Sequence, residues 1–152
     1  MITVTLIGGG ELVAKWGRIP ASARDALRAE VQKAALALTA HVKQDKLTDQ
    51  VLRVRTGRLR RSITQRVEVE GSRVMGYVGT NVEYAAAHEY GIRGSIGVRE
   101  HLRRSKQGKQ FSVRAHLRNV NIPERSFLRS ALADMKEQIV NGMVTAIQDA
   151  VK

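Results

Sequence analysis

Apolar and polar residues alternate in some stretches of the chain and recur at helical spacing in others. Residues 2–7, Ile-Thr-Val-Thr-Leu-Ile, alternate and are rich in β-branched side chains, which suits an edge or pairing strand. Leu27, Val31, Ala34, Leu38 and Val42 then fall on one helical face, and Ala23, Ala35 and Ala37 add small packing surface. Ser22 and Asp25 have the spacing of a capping box, so a helix is predicted from Ser22 to about Asp45 or Lys46. Leu47–Arg55 reads as a connector.

The centre of the chain starts at Thr56, which can cap a short turn, followed by Gly57, which allows a sharp bend. Arg58, Arg60 and Arg61 surround Leu59. Ile63, Gln65, Val67 and Val69 then alternate with Thr64, Arg66, Glu68 and Glu70, the pattern of a half-buried strand. Gly71-Ser72 is a two-residue turn signal, and Arg73–Gly79 is the return strand, with a bulge or close backbone approach predicted at Gly76 and Gly79. Val82–Tyr90 reads as a short helix of small residues, ended by Gly91 in the left-handed conformation.

Residues 92–121 are predicted to form a basic β-hairpin arm. Phe111, Val113, Ala115 and Leu117 alternate with Ser112, Arg114, His116 and Arg118, and residues 105–109 form the turn. Pro123 suits the first turn of a final helix or the residue before it. From Phe127 to Ile147 the apolar residues return at helical spacing, and Gly142 marks a kink or a close helix crossing. The expected fold is a single α+β domain over residues 1–152. It has two long helices packed on a small, mainly antiparallel sheet, with the hairpin as an inserted arm.

Composition sharpens this picture. An apolar fraction of 43% supports a real core, and only 4% aromatic residues make that core aliphatic. No apolar run is long enough for a membrane span, and no membrane partner is expected. The start of the chain has no basic segment of the kind that opens a signal peptide. The absence of cysteine excludes disulfides and thiolate metal sites and fits assembly in the cytoplasm. The net charge is +12 and concentrated: residues 51–129 hold 17 Lys and Arg against 6 Asp and Glu. Of the 26 basic residues 18 are arginine, which favours planar, bidentate contact with carboxylate or phosphate. The middle of the chain should therefore touch nucleic acid or an acidic protein surface.

No catalytic constellation emerges. Gly8-Gly9-Gly10 lacks the lysine and hydroxyl spacing of a phosphate loop, and the four histidines form no HExxH pattern. His88 and Glu89 are adjacent, so on a helix they do not face one another. Neither an enzyme nor a cofactor is expected. Trp16 is either core or an interface anchor. Glu83 and Glu89 are candidates for ion pairs with arginines across a subunit boundary.

Three segments in order, Thr56–Ile63 (TGRLRRSI), Gly79–Gly91 (GTNVEYAAAHEYG) and the run from Pro123 to Ala131 (PERSFLRSA), resemble the tail-component family of long-tailed bacteriophages. That family is also called the minor tail protein Z-like or head–tail joining family. The resemblance spans roughly residues 20–150, and the long stretch between Gly91 and Pro123 departs from it. It implies a virion structural protein of the neck, assembled in the host cytoplasm. Such a protein would form a closed ring, taken as a hexamer, at the head-proximal end of the tail, completing or terminating the tail and joining it to the head connector. Tail-tube and head-connector proteins would be its partners, with non-specific contact to DNA in the channel. Arg58, Arg60, Arg61, Arg99, Arg103, Arg104, Arg114 and Arg118 are the candidate contacts to neighbouring subunits or virion proteins. Tyr84, Glu89 and Tyr90 join them as docking residues by resemblance alone. The alternative from another class is a basic nucleic-acid-binding module, although aromatic residues for base stacking are few.

Overall fold

The structure, a computed structural model, describes residues 2–7, 21–71 and 73–151, with the backbone alone for residues 2–7 and Ala21. The glycine run at 8–10, Trp16 and Ser72 lie outside the described residues. The chain runs β1 (Ile2–Ile7), α1 (Ala21–His41), a widened π-type turn (Val42–Gln50), α2 (Arg58–Ser62), β2 (Thr64–Glu70), β3 (Arg73–Thr80) and α3 (Ala85–Tyr90). It continues through β4 (Ile92–Val98), β5 (His101–Arg104), β6 (Gln110–Val113), β7 (His116–Ile122) and α4 (Leu128–Val151). The class is mixed α+β with small antiparallel sheets.

The body sheet has the order β1-β3-β2, and both of its ladders are antiparallel. The alternation in β2 and β3 turns Val67, Val74, Gly76 and Val78 toward α1, which lies across both strands. The predicted bulge is absent: Gly76 and Gly79 keep regular partners on both sides. As the central strand, β3 is paired one-to-one with β1 and β2 throughout, which leaves no extra residue at either glycine.

One core holds the body together. Leu38 and Val42 from α1, Ile63, Val78, Val82 and Ala85 from the centre, and Phe127, Leu128 and Ala131 from the start of α4 are buried against one another. A second cluster joins Leu27 and Val31 of α1 to Met143 and Ile147 of α4. Leu128 is 1% exposed, so Leu128→Ala should cost about 2–5 kcal/mol, whereas Leu132→Ala, at a half-buried site, should cost less. Urea denaturation of the two variants checks the order. Gly142 of α4 faces Glu30 of α1, but a side chain there would meet only the end of that flexible glutamate, which can swing aside, so the glycine is not required by the crossing.

The predicted end of α1 near Lys46 is where helical backbone stops, since Leu47, at φ −103° and ψ 18°, is the first residue outside helical dihedrals, but the last turns are not regular α-helix. The regular helix stops at His41 and opens into the π-type turn, where Asp49 adopts a left-handed φ of 72°. The widened turn buries both Leu47 and Leu52, and the Lys46 carbonyl accepts from the N–H groups of Val51 and Leu52, each at 3.2 Å. Lys46 is itself buried, and its Nζ reaches Asp134 of α4 at 2.7 Å. His41 adds a second contact to Asp134 at 3.2 Å. Hydrogen bonds from Lys46 and then His41 hold the Asp134 carboxyl below the usual carboxylate range. The predicted capping box at Ser22 does not form as drawn: Ser22 lies inside α1 and its hydroxyl donates to the Ala150 carbonyl at 3.4 Å.

Residues 92–122 form a two-stranded hairpin with its turn at Ser105–Lys109, closed by Ser105 N–H to the Lys109 carbonyl at 2.8 Å. The pairs from Ile92↔Ile122 to Val98↔His116 continue in step as His101↔Val113 to Arg104↔Gln110. Arg99, Glu100, Arg114 and Ala115 stand unpaired between the two ladders. The hairpin is thus one ribbon in one register, on the order of 40 Å long for the 12 residue steps from Ile92 to Arg104. Its strands pack mainly on each other, and among the described residues no body element covers it extensively. Pro123 sits five residues before α4, in the strap between arm and helix, not in the helix's first turn.

Candidate interaction surfaces

The three sequence segments meet as one hydrogen-bonded unit. At the end of α2, the Ser62 hydroxyl donates to the Leu59 carbonyl at 2.7 Å and lies 2.6 Å from Thr80 Oγ1. Thr80 is buried and accepts from the Val82 N–H at 3.2 Å, which starts the approach to α3. At the far end of α3, Glu89 is fully buried. Its carboxylate accepts from the backbone N–H groups of Phe127 at 2.8 Å, Leu128 at 3.0 Å and Arg129 at 3.0 Å. These are donors at the start of α4 that have no partner within the helix. Glu89 therefore caps a 24-residue helix from 38 positions away, with its charge against the positive end of the helix dipole.

Arg129 completes the cap. Its Nε donates to Glu89 Oε1 at 3.2 Å, and its Nη2 donates to the Glu89 carbonyl and to Glu124 Oε1, both at 2.7 Å. Its guanidinium lies over the Tyr90 ring, 4.8 Å from the centroid. Glu89 does not reach a surface, which corrects its grouping with the docking residues: its arginine partner belongs to its own chain. Gly91 follows with φ 71° and ψ 163°, outside the left-handed helical region predicted for it. A side chain there would come within 3.0 Å of the Glu124 nitrogen and the Ile122 oxygen, so the root of the arm closes only over glycine.

The remaining predicted contact residues fall into two surfaces. Arg58 and Arg60 line a groove of about 510 Å³ with Tyr84, His88 and Arg125, and with the preceding Arg53 and Arg55. Arg61 points elsewhere, with Nη2 donating to the Thr56 carbonyl at 3.3 Å. Tyr84 is 40% exposed and packs edge-on to His88. Sequence reasoning missed Arg53, Arg55 and Arg125 as members of this group. The signal was the alternation Arg53-Val54-Arg55 just before Thr56, but nothing in the sequence placed Arg125 beside it.

His88 Nδ1 is buried with no hydrogen-bond partner among the described residues. Burial, with the Arg125 charge, pushes the His88 imidazole below its ordinary 6.5. The unfolded chain then binds more protons than the folded one just under pH 6.5, so stability should rise with pH through that window and level off above it. An NMR titration should place the folded His88 below 6.5, and a value above it would contradict burial beside Arg125.

The arm is the second surface. Arg99, Arg103, Arg104, Arg114 and Arg118 are all exposed on it, as are Ile96, Leu102, Phe111 and Leu117. Residues 92–122 carry eight Lys and Arg against the single acid Glu100, which accepts from the Ser112 hydroxyl at 3.0 Å. No group of three or more His, Asp or Glu among the described residues could hold a metal ion, and no described helix is long and apolar enough to cross a membrane.

The geometry is that of an assembly domain: a braced body with a basic groove and a projecting basic and apolar ribbon. Residues 30–148, well over half of the chain, match the model of the phage virion morphogenesis family. The chain belongs to that family, which makes it a virion-associated assembly protein of a bacteriophage. No curated protein and no solved structure matches it.

Proposed function

We propose that the chain is a single neck domain, similar to the minor tail protein Z-like, head–tail joining proteins. On this reading it forms a closed ring, a hexamer, at the head-proximal end of the tail, completes or terminates the tail and joins it to the head connector. The observation that carries this reading is the arm. It is a ribbon of on the order of 40 Å with exposed apolar and arginine side chains and little cover from the described residues of its own body, as expected of a chain that finishes its packing on neighbours. Heterologous contacts of this kind close into rings. Tail-tube and head-connector proteins are the partners in the two axial directions.

The test is electron microscopy of particles from a phage lacking this protein, with and without complementation. Filled heads beside separate tails support the reading, and tail length then separates a terminator (overlong tails) from a connector (normal tails). Intact particles would overturn it. In the complementation, Arg58→Ala/Arg60→Ala/Arg61→Ala should leave the monomer folded and impair joining of heads to tails. Unfolding of that triple variant would make those arginines structural.

One observation favours a nucleic-acid reading. A two-stranded ribbon fits a DNA major groove, and the arm carries eight basic residues. Duplex binding whose affinity falls steeply with salt, and which is lost with the arm arginines, would support it.

A further inference from the structure

The groove below His88 differs in kind from the arm. It is concave, and its lining includes Leu47, Leu52 and Leu59, of which Leu47 and Leu52 are buried. Five arginines, Arg53, Arg55, Arg58, Arg60 and Arg125, line it, with no acidic residue among the described residues of the lining. Of these only Arg53 has a carboxylate partner among the described residues, the exposed Asp49 at 3.5 Å. The apolar bodies of Val54 and Tyr84 are both more than two-fifths or about two-fifths exposed at its wall. The His88 side chain lines the groove beside them. Such a site concentrates uncompensated cations around an apolar floor.

We propose that this groove is a docking site for an extended acidic peptide segment of another assembly protein. The inference rests on the reading above only for the identity of the partner as an assembly protein; the site itself rests on the groove. Carboxylates of the segment would take the arginines in paired hydrogen bonds, and an apolar side chain would meet Leu47, Leu52 and Leu59. The volume suits a few residues of extended chain, within the usual range for binding clefts.

A second copy of this chain does not fit as the occupant. Most of its described carboxylates are already engaged, among them Glu30, Asp45, Asp49, Glu68, Glu89, Glu124 and Asp134. Asp25, Glu70, Glu83 and Glu137 lie far apart in sequence, on or beside four different elements, and supply no acidic run. The segment 8–20 carries Glu11 against Lys15 and Arg18, so it lacks the charge as well. Nor does a concave, apolar-floored cleft match the convex backbone of a DNA duplex, which the exposed arm suits better.

The test uses the full chain and two labelled probes: a twelve-residue peptide of repeated Glu-Glu-Leu, and a twelve-base-pair DNA duplex. Fluorescence anisotropy at about 0.15 M salt is read for the wild type, for Arg55→Ala/Arg58→Ala/Arg125→Ala, and for the arm variant Arg103→Ala/Arg104→Ala/Arg118→Ala, which removes equal charge. The groove variant should weaken peptide binding by at least about tenfold, the loss of one charge-assisted contact, while the arm variant changes it by less than about twofold. Equal weakening by both variants would mean attraction by net charge alone and overturn the proposal. Duplex binding that depends on the groove, with no peptide preference, would overturn it in favour of nucleic acid. If the groove variant fails to fold, chemical-shift mapping on the wild type decides. Peptide-induced shifts at the His88 ring and Leu59 methyls support the site, and shifts confined to residues 92–122 overturn it. A peptide site found in a chain whose loss leaves particles intact would keep the groove and discard the neck.

Discussion

Glu89→Ala should destabilise the fold by about 3–5 kcal/mol, since each backbone donor left without its acceptor costs roughly 1–3 kcal/mol. The side chain is fully buried and receives three backbone N–H groups and the Arg129 guanidinium. Alanine leaves those three donors inside the protein without an acceptor and removes the charge that faces the end of α4. It also frees Arg129, which then holds only the Glu89 carbonyl, Glu124 and the Tyr90 ring. For a chain of this size the loss corresponds to a fall in Tm on the order of 10 °C, read by calorimetry or circular dichroism. Glu89→Gln keeps one acceptor oxygen and should fall between the two, because its amide nitrogen meets N–H groups where an oxygen belongs. If Glu89 instead served a partner, the alanine variant would melt like the wild type and fail only in particle assembly.

The same residue shows what the sequence made legible and what it did not. The periodicity of α1 and α4, the alternation in β2 and β3, the hairpin and its turn could all be read from local pattern, since each buries a face set by its own spacing. The role of Glu89 could not be, because its partners lie 38 to 40 positions along the chain. Its one local sign was placement: Ala85 and Glu89 are four residues apart on a single buried helical face, and an acid at such a position requires donors. Arg125 entered the groove unannounced for the same reason. The Arg125 N–H donates to the His88 carbonyl at 2.8 Å, so the strap after the arm is laid against α3. The π-type turn was missed because helical spacing simply continues into it; the departure comes from burying Leu47, Leu52 and the Lys46 stem together.

These long-range bonds also bear on why the arm can be long. Ile92 pairs with Ile122, and Gly91 packs against the backbone of Ile122 and Glu124, so the chain leaves and re-enters the body at one point. Ser62–Thr80 and Glu89–Phe127 close the scaffold on either side of that point without any residue of the arm. The arm can therefore vary in length and surface while the groove and core stay fixed.

Replacing Ser95–Asn119 with Asn-Gly should accordingly separate folding from assembly. The pairs Ile92↔Ile122 to Gly94↔Val120 remain, and a two-residue turn closes them. Thermal stability should change by no more than about 1 kcal/mol, since the deleted residues are almost all exposed and lie outside both core clusters. Particle yield, measured as infectious titre in a complementation assay, should fall by several orders of magnitude, on the order of what losing the whole protein costs. The physical reason is reach. A body of about 120 residues is about 35 Å across, so a ribbon on the order of 40 Å can cross the full width of a neighbour. Its apolar residues lie on both faces: Ile92, Ile96, Val98 and Leu102 on one, and Phe111, Val113 and Leu117 on the other. One flat contact cannot cover both faces, so the ribbon must be wrapped by a partner or pass between two. A deletion variant with full titre would show that the arm is dispensable for assembly, and a variant that unfolds would show that it is part of the body's core.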